Sequence, residues 1–259
     1  MHSYRNPNIK KIQNASVNLL EYMPLAHHHI KHPHLRVKLC VSGAAETGHC
    51  GLQAYNRAKQ LGREIARRDA ILVTGATTGF PLWTAMGHKE EGGVSVGLSP
   101  ASSEAEHARV YKLPLDYLDL IIYTGFGYSG RNLLLTRASD AVLIGCGRVG
   151  TINEFTIAFE DGKPIGVLEG EWETDEVVRT IIEKGHRPNP KIVFDSDPQA
   201  LVERVIALVE QDKVRERGLY ANADGIGGRG AGEGDVNRFQ ISERRFQSTG
   251  TIDWAGETG

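Results

Sequence analysis

An arginine and a glutamate flank a glycine-rich loop in the middle of the chain. Arg131 precedes the loop GCGRVGT, residues 145–151, and Glu154 follows it. A strand, a glycine turn and a helix start together form an anion site, because the first N–H groups of a helix lack partners and the helix dipole favours negative charge there. A carboxylate just past such a turn can stabilise positive charge on a sugar ring or activate water, and arginine stays charged at every relevant pH. Our hypothesis is that this loop holds a phosphate and that Arg131 and Glu154 contact the sugar attached to it.

The loop itself contains four residues suited to phosphate. Gly147 and Gly150 allow close approach of the backbone, and Thr151 can donate its hydroxyl or cap the helix. Arg148 could form a charge-assisted contact to phosphate, or it could fill the site and bar the ligand. The spacing spells G-x-G-x-x-G, but no acidic residue follows a later strand at the distance that dinucleotide binding requires. By spacing alone, a tight strand-to-helix turn without a ligand explains the loop equally well.

Two other turns follow the same design. Apolar runs end at glycine in VSGAAETG, residues 41–48, and in VTGATTGF, residues 73–80. In open α/β sheets ligands bind at the carboxyl ends of the strands, so we expect these turns to meet the 145–151 loop at one cleft. Their candidate ligand contacts are Gly43, Gly75, Thr78 and Gly79. For the last two residues a plain turn is the alternative.

Apolar runs and helical patterns alternate through residues 37–212. The apolar runs lack the polar alternation of a half-exposed strand, so they are predicted to be buried on both faces, as parallel strands between two helix layers are. This alternation predicts a Rossmann-like α/β domain with a doubly wound, mostly parallel sheet flanked by helices. A polar, histidine-rich arm precedes this domain at residues 1–36. Residues 213–259 are rich in glycine and charge and are predicted to form a flexible tail.

Composition argues against several classes of protein. The chain has 259 residues, of which 40% are hydrophobic, and a formal net charge of −2. It lacks the basic surplus of a nucleic-acid-binding protein, so nucleic acid is not expected as a partner. No apolar run reaches the ~18 residues of a membrane helix, and the first residues lack the apolar core of a secretion signal. Three cysteines are too few for a disulfide framework, and the composition favours a cytoplasmic protein.

The remaining reactive side chains are predicted to be structural. The run HHHIKHPH, residues 27–34, matches no standard zinc spacing, so a polar arm is preferred over a transition-metal site. Cys146 has no histidine near it in sequence and is predicted to be a small packed thiol rather than a nucleophile. His49 is expected to contact solvent or backbone. The aromatic residues near the loops are expected to pack rather than to stack on a base: Trp83, Tyr123, Phe126 and Tyr128. Neither a metal nor a cofactor is expected.

These segments resemble the Lonely Guy (LOG) family, once described as lysine decarboxylases. That family opens with a strand and a Gly-Ser-Ser-type turn, like VSGAAETG here, and its second strand ends in a glycine-rich turn, like VTGATTGF. Its signature pairs an Arg-Lys helix with the loop Pro-Gly-Gly-x-Gly-Thr-x-x-Glu. The matching segments here are GRNLLLTRASDAVLIG and CGRVGTINE. The resemblance covers residues 37–210 and implies a Rossmann-like, nucleotide-binding fold.

The resemblance also implies an activity. Arg131 and Glu154 take the positions of the family's catalytic arginine and glutamate, and Gly150 and Thr151 those of its phosphate-binding turn. The implied reaction is hydrolysis of the N-glycosidic bond of a nucleoside 5′-monophosphate, which releases the free base and ribose 5-phosphate. The implied assembly is a homodimer.

Three departures from the family pattern favour a divergent branch. Asn132 replaces the family's lysine, Cys146 its proline and Arg148 its second glycine. These changes keep open a non-catalytic alternative, either a nucleotide sensor or a carrier of a pterin-type (molybdenum) cofactor. For Arg131 and Glu154 the alternative without a ligand is a helix-start arginine and a carboxylate that complements the helix dipole.

Overall fold

The computed structural model describes residues 36–187 and 189–224, with side chains as far as residue 215. The predicted histidine run and residues 225–259 of the predicted tail lie outside the described residues. Within the described residues, seven strands alternate with seven helices. The strands are β1 (Lys38–Ser42), β2 (Ile71–Thr74), β3 (Ser95–Ser99), β4 (Leu120–Tyr123), β5 (Ala141–Ile144), β6 (Ile165–Leu168) and β7 (Ile192–Asp195). The helices are α1 (Ala54–Arg67), α2 (Phe80–Glu90), α3 (Glu104–Arg109), α4 (Gly127–Ala138), α5 (Val149–Glu160), α6 (Thr174–Lys184) and α7 (Pro198–Asp224).

The strands form one sheet with the order β4-β3-β2-β1-β5-β6-β7, and every neighbouring pair is parallel. This confirms the predicted doubly wound α/β fold. The strand sequences explain the arrangement, because nearly every side chain of β1, β5 and β6 is apolar and buried. Strands without a polar face need helices on both sides of the sheet, which is where parallel strands occur.

Helices cover both faces of the sheet. On one face, α1 places Ala58, Leu61 and Ile65 in the core together with residues of α2 and α7. These positions recur at the spacing that puts apolar side chains on one side of a helix. On the other face, Leu135 of α4 and Phe155 of α5 pack in a second cluster that also includes α6.

The chain reverses its direction across the sheet at β1. Strands β2, β3 and β4 add outwards on one side of β1, and the chain then returns to place β5 on the other side. Such a reversal leaves a crevice at the carboxyl ends of the two central strands. Here the last residues of β1 and β5, Ser42 and Ile144, lie side by side in register. The crevice therefore lies where the sequence predicts the cleft.

Phe80, the first residue of α2, fixes the backbone at this crevice. Its side chain is fully buried. A Cβ atom added at Gly43 would lie 2.7 Å from the Phe80 Cβ, and one added at Gly145 would overlap the Phe80 ring. Glycine is thus required at the ends of β1 and β5 because an aromatic ring packs against both turns.

The six residues of α3 are too few to carry a helical period, so the sequence does not predict this helix. Helix α4 begins at Gly127, so Arg131 lies one turn inside it. Helix α7 continues to Asp224, past residue 213 where the tail is predicted to begin. The described residues as far as Val209 form one compact unit, and the end of α7 belongs to a second. Among the described residues, none of the helices is both long and apolar enough to cross a membrane.

We expect Phe80→Ala to lower the free energy of unfolding by about 3–5 kcal/mol, because it leaves a cavity beneath two glycine turns that cannot collapse without moving the sheet ends. Phe80→Leu keeps most of the volume and should cost less than about 1.5 kcal/mol. Urea unfolding of the three proteins measures both values. Equal midpoints for the alanine variant and the unchanged protein would contradict this account of the turns.

Candidate functional site

A cavity of about 370 Å³ opens at the crevice between β1 and β5. Pockets of this size hold small molecules. The turn that follows β1 and the turn that follows β2 form one side of the cavity. Helix α4 and the first turns of α5 form the other side. The cavity therefore combines the three glycine turns that the sequence predicts to converge.

Most of the predicted site residues line this cavity. They are Gly43, Gly75, Arg131, Arg148, Gly150, Thr151 and Glu154. The other three predicted residues, Thr78, Gly79 and Gly147, are not part of its lining. The structure thus brings the predicted arginine and glutamate to the same cavity as the predicted phosphate loop. The roles of all ten residues stay predictions.

Thr78 and Gly79 support the turn after β1. Gly79 has a φ of 70°, and a side chain there would collide with the carbonyl groups of Ala44 and Ala45. The Thr78 hydroxyl donates a hydrogen bond to the Ala45 carbonyl at 3.1 Å. Both residues therefore act on the cavity through the backbone of Ala44 and Ala45, which does line it.

The start of α5 points to an anion site. Arg148 is the N-cap residue in an extended conformation, and its side chain makes no capping hydrogen bond. Gly150 and Thr151 follow in the first turn, and both line the cavity. The first N–H groups of a helix have no partner within the helix, and the dipole favours an anion beside them. Because no side chain caps α5, a ligand can accept hydrogen bonds from these groups.

Arg131 and Glu154 form a buried ion pair across the cavity floor. Arg131 Nη1 lies 3.3 Å from Glu154 Oε1, and the two residues are 6% and 5% exposed. Arg131 comes from the buried face of α4, and Glu154 from the second turn of α5. The pair therefore joins the two helices that close this side of the cavity.

Both carboxylate oxygens of Glu154 have hydrogen-bond donors. The Ser42 hydroxyl donates to Oε2. The Asn132 amide nitrogen donates to the Asn153 side-chain oxygen at 2.9 Å. In the swapped amide orientation, which its other neighbours favour, Asn132 donates instead to Glu154 Oε1 at 2.9 Å and to the Tyr128 carbonyl at 3.0 Å. Burial raises the pKa of Glu154 above its ordinary value of 4.5, while Arg131 and the Ser42 hydrogen bond counter part of this rise. The carboxyl is thus closely held, and burial disfavours its charged form.

The Arg131 guanidinium lies against the backbone of Gly75. A Cβ atom at Gly75 would overlap Arg131 Nη1, so only glycine leaves room for the arginine. The guanidinium also lies 6.0 Å from the ring of Tyr128. Its Nε atom is buried and has no hydrogen-bond partner. An unpaired donor on a buried charged group is costly, and this nitrogen has almost no surface exposed to the cavity.

Arg148 stands at the rim. It forms an ion pair with Glu46, and both side chains are largely exposed. An exposed pair of this kind contributes little to stability, so Arg148 can exchange Glu46 for an anionic ligand. The structure therefore leaves the arginine beside the cavity without filling it.

The loop before α5 is fastened to its neighbours. The Ala44 N–H donates to the Cys146 carbonyl at 2.7 Å, and the Gly147 N–H donates to the Thr174 hydroxyl at 2.8 Å. Cys146 also forms a disulfide with Cys50. The prediction of a packed thiol at Cys146 is therefore wrong, because the turn after β1 brings a second cysteine to it over a sequence separation of 96 residues.

The cavity lining includes residues that the sequence does not single out for binding, among them Ser42, Tyr128 and Asn132. Ser42 directly precedes the glycine that ends β1, and its hydroxyl reaches Glu154 only because β1 and β5 are neighbours. Asn132 stands out in the sequence only as a departure from the LOG pattern. Tyr128 was expected to pack; it lines the cavity and its ring meets Tyr111 edge-on at 5.5 Å.

The fold and the cavity define a Rossmann-like α/β protein with a ligand-sized cavity at its switch point. The chain belongs to the SLOG cluster4 family, which it matches over residues 36–202. SLOG denotes the SMF/DprA-LOG superfamily. The resemblance to a divergent branch of LOG-like proteins is thereby confirmed.

Similar proteins include one curated relative and several solved structures. The chain is 31% identical to an uncharacterized protein of Archaeoglobus fulgidus over 133 residues, which are 51% of this chain and 82% of that protein. The molybdenum cofactor binding protein of Rippkaea orientalis is similar with a TM-score of 0.55 and 25% identity, over 68% of this chain and 97% of that one. The molybdenum cofactor carrier protein of Chlamydomonas reinhardtii has a TM-score of 0.55 at 21% identity, over 68% and 99%. The last likeness shows the fold alone.

We expect Arg131→Met to destabilise the protein by about 3–5 kcal/mol at pH 7, since it leaves Glu154 buried without its cation. Loss of Arg131 raises the pKa of Glu154 further above 4.5, so the folded chain holds the proton more tightly than the unfolded chain. The stability of the variant should therefore be greatest near pH 4.5 and fall as the pH rises towards the raised value. Urea unfolding between pH 5 and pH 8 measures this slope.

The double variant Arg131→Met/Glu154→Gln is the control for this slope. It removes the titrating carboxyl and should lose the added pH dependence. Identical pH profiles for the single and double variants would show that Glu154 is not the group responsible.

Proposed function

We propose that the cavity binds a small phosphorylated ligand, a nucleoside 5′-monophosphate or a phosphorylated pterin, and holds it without cleaving it. The phosphate lies against the first turn of α5, where Gly150 and Thr151 donate N–H groups and the guanidinium groups of Arg131 and Arg148 add positive charge. The observation that carries the proposal is Arg131. Its charged side chain is more than nine-tenths buried, and it lines the same cavity as the uncapped start of α5.

The rest of the ligand extends from the phosphate towards α4. Tyr128 and Pro81 line this part of the cavity. An aromatic ring that is half exposed there offers a face or edge to a flat heterocycle. Purines, pyrimidines and pterins are all flat heterocycles. This half of the cavity therefore supports a flat heterocycle as ligand but does not select one of the three.

The contacts of Glu154 support holding rather than hydrolysis. Its carboxylate receives hydrogen bonds from Ser42, Arg131 and Asn132. A general base must direct a lone pair at water or substrate, whereas this carboxylate is engaged on both oxygens. Its main contribution is then to position Arg131. The similarity to the molybdenum cofactor binding protein of Rippkaea orientalis is a further support for a carrier.

Hydrolysis of the N-glycosidic bond is the second candidate. The observation that favours it is the raised pKa of Glu154, which burial causes. A carboxyl whose pKa is moved towards neutrality is suited to general acid–base chemistry. The Arg131–Glu154 pair also matches the pair that the LOG resemblance implies. Turnover assays therefore accompany the binding assays below.

The expectation that nucleic acid is not a ligand stays a prediction. The superfamily takes its name partly from DprA, a DNA processing protein. The ligand proposed for the cavity is a small phosphorylated molecule, which fits the size of that cavity.

We also propose that the protein is a homodimer that pairs through the β4 edge of the sheet. In the described residues β4 has one neighbour, β3. Leu120 and Ile122 on this strand are 54% and 46% exposed, and α4, the next helix in the chain, exposes Leu133 and Leu134. A patch of exposed apolar side chains such as these four is typical of an interface. A second copy would cover the outer side of the helix that carries Arg131.

Binding is tested with matched pairs of ligands that differ only in the phosphate. We expect neopterin monophosphate, or at least one nucleoside 5′-monophosphate, to bind about 10–100-fold more tightly than the same compound without phosphate, as charge-assisted hydrogen bonds would give. Gly75→Ala should remove most of this difference, because its methyl group displaces the Arg131 guanidinium. Gly48→Ala is the control, since a Cβ atom there meets nothing within 4 Å. Calorimetric titration measures the affinities.

Two results would contradict the holding function. Equal affinity with and without phosphate, or a Gly75→Ala protein that binds as well as the unchanged one, would show that the cavity has no phosphate site.

Chromatography detects release of free base and ribose 5-phosphate. Release that both Arg131→Ala and Glu154→Ala abolish would show that the protein hydrolyses its ligand.

The homodimer is tested by substituting one residue of the patch. Ile122→Lys should convert the dimer to a monomer in light scattering, because it places a charge in the middle of an apolar interface. Val177→Lys is the control, since Val177 is 44% exposed on α6, outside the patch. A monomeric unchanged protein, or a dimeric Ile122→Lys protein, would rule out this interface.

A further inference from the structure

His49, Cys50 and Cys146 bring three metal-binding atoms together beside the α5 loop. The Nε2 atom of His49 lies 3.5 Å from the sulfur of Cys146 and 3.9 Å from the sulfur of Cys50. The two cysteines are buried and His49 is exposed. The two sulfur atoms are bonded to each other, so this state of the cluster is the oxidised one.

We propose that the reduced form of this cluster binds a thiophilic divalent cation of the Zn²⁺ class through His49, Cys50 and Cys146, and that disulfide formation abolishes the site. This metal site is separate from the cavity between β1 and β5 and does not depend on the ligand of that cavity. The sequence alone predicts a structural role for its residues.

The distances suit a tetrahedral cation. Zn–S bonds of about 2.3 Å and Zn–N bonds of about 2.0–2.1 Å place the nitrogen about 3.6 Å from each sulfur. The observed separations of 3.5 and 3.9 Å already match this edge of a tetrahedron. To bind the cation, the two sulfur atoms must also separate to about 3.8 Å, which is the sulfur–sulfur edge of the same tetrahedron. With the Cα atoms 5.6 Å apart, rotation of the two side chains supplies most of that change.

Three protein ligands leave the fourth coordination position of a tetrahedron open. His49 also lines a second cavity of about 540 Å³, and water from this cavity can complete the tetrahedron. Among the described residues, the metal-binding atoms that lie within 4.8 Å of one another are those of His49, Cys50 and Cys146. Three protein ligands with one open position are typical of zinc sites that exchange a ligand.

The chemistry balances with a two-electron reductant. A dithiol or phosphine transfers two electrons to the Cys50–Cys146 disulfide, and two protons complete the two thiols. The cation then binds both sulfur atoms as thiolates and the neutral His49 imidazole at Nε2, which releases the two protons. Reoxidation by a disulfide of another molecule returns the cystine and frees the cation.

Cobalt(II) tests the site in the full chain. We expect the protein reduced with a phosphine, without oxygen, to bind one Co²⁺ with a sulfur-to-cobalt charge-transfer band in the near ultraviolet. Zn²⁺ should displace it and remove the band. The oxidised protein should give no such band. The histidine run at residues 27–34 can also bind Co²⁺, but nitrogen ligands do not produce a thiolate band.

Substitutions assign the band to its ligands. Cys146→Ser should abolish it, and His49→Ala should weaken Co²⁺ binding by more than about 100-fold, because loss of an outer hydrogen-bond partner alone costs about 10–100-fold. Cys40→Ser is the matched control, since Cys40 is a buried free thiol outside the cluster, and it should keep the band.

The comparison of oxidised and reduced protein needs no substitution, so it stands even where a variant fails to fold. Reduced protein with an unchanged circular dichroism spectrum and no thiolate band would overturn the proposal. A band of equal strength in Cys146→Ser would overturn it as well.

Discussion

The ion pair between Arg131 and Glu154 is the contact on which the cavity depends, because its two members come from different helices and both are buried. Ser42 at the end of β1 donates to the same carboxylate, so the pair also ties α4 and α5 to the centre of the sheet. Burying two charges costs desolvation, and their attraction offsets this only when the remaining polar atoms have partners. Glu154 meets that condition on both oxygens, whereas Arg131 leaves Nε unpaired. The imbalance therefore lies on the arginine.

The glycines of the cavity are explained by close packing before any ligand is considered. Gly43 and Gly145 leave room for the ring of Phe80, Gly75 leaves room for Arg131, and Gly79 lets α2 begin beneath two carbonyl groups. A glycine after a strand therefore indicates that something lies close to the backbone, and in this protein that neighbour is another part of the chain. The case for a ligand rests instead on the uncapped start of α5 and on the buried charge of Arg131 beside the same cavity.

Contacts within a local segment and contacts between distant segments differ in how well the sequence predicts them. Unbroken apolar runs predicted buried parallel strands, and the glycine turns at their ends predicted where the cleft lies; both follow from local patterns. The LOG resemblance, rather than spacing, singled out Arg131 and Glu154 as a pair. Local patterns could not predict that Ser42 reaches Glu154, since that contact depends on which strands become neighbours. The Cys50–Cys146 disulfide was missed for the same reason, because its two residues meet only when the turns after β1 and β5 lie side by side.

The α5 loop links the cavity to the cysteine cluster. Three contacts hold this loop: the Cys50–Cys146 disulfide, the Ala44–Cys146 hydrogen bond and the hydrogen bond between Gly147 and Thr174. A loop held in this way presents the start of α5 to a ligand with little ordering left to be done, which favours binding. Exchange of the disulfide for a dication with two thiolates and a neutral imidazole leaves the net charge of the cluster unchanged, so it would not alter the attraction of the neighbouring cavity for phosphate through charge. Any effect on that cavity would have to come through the position of the loop, and the two hydrogen bonds that do not involve sulfur would oppose its movement.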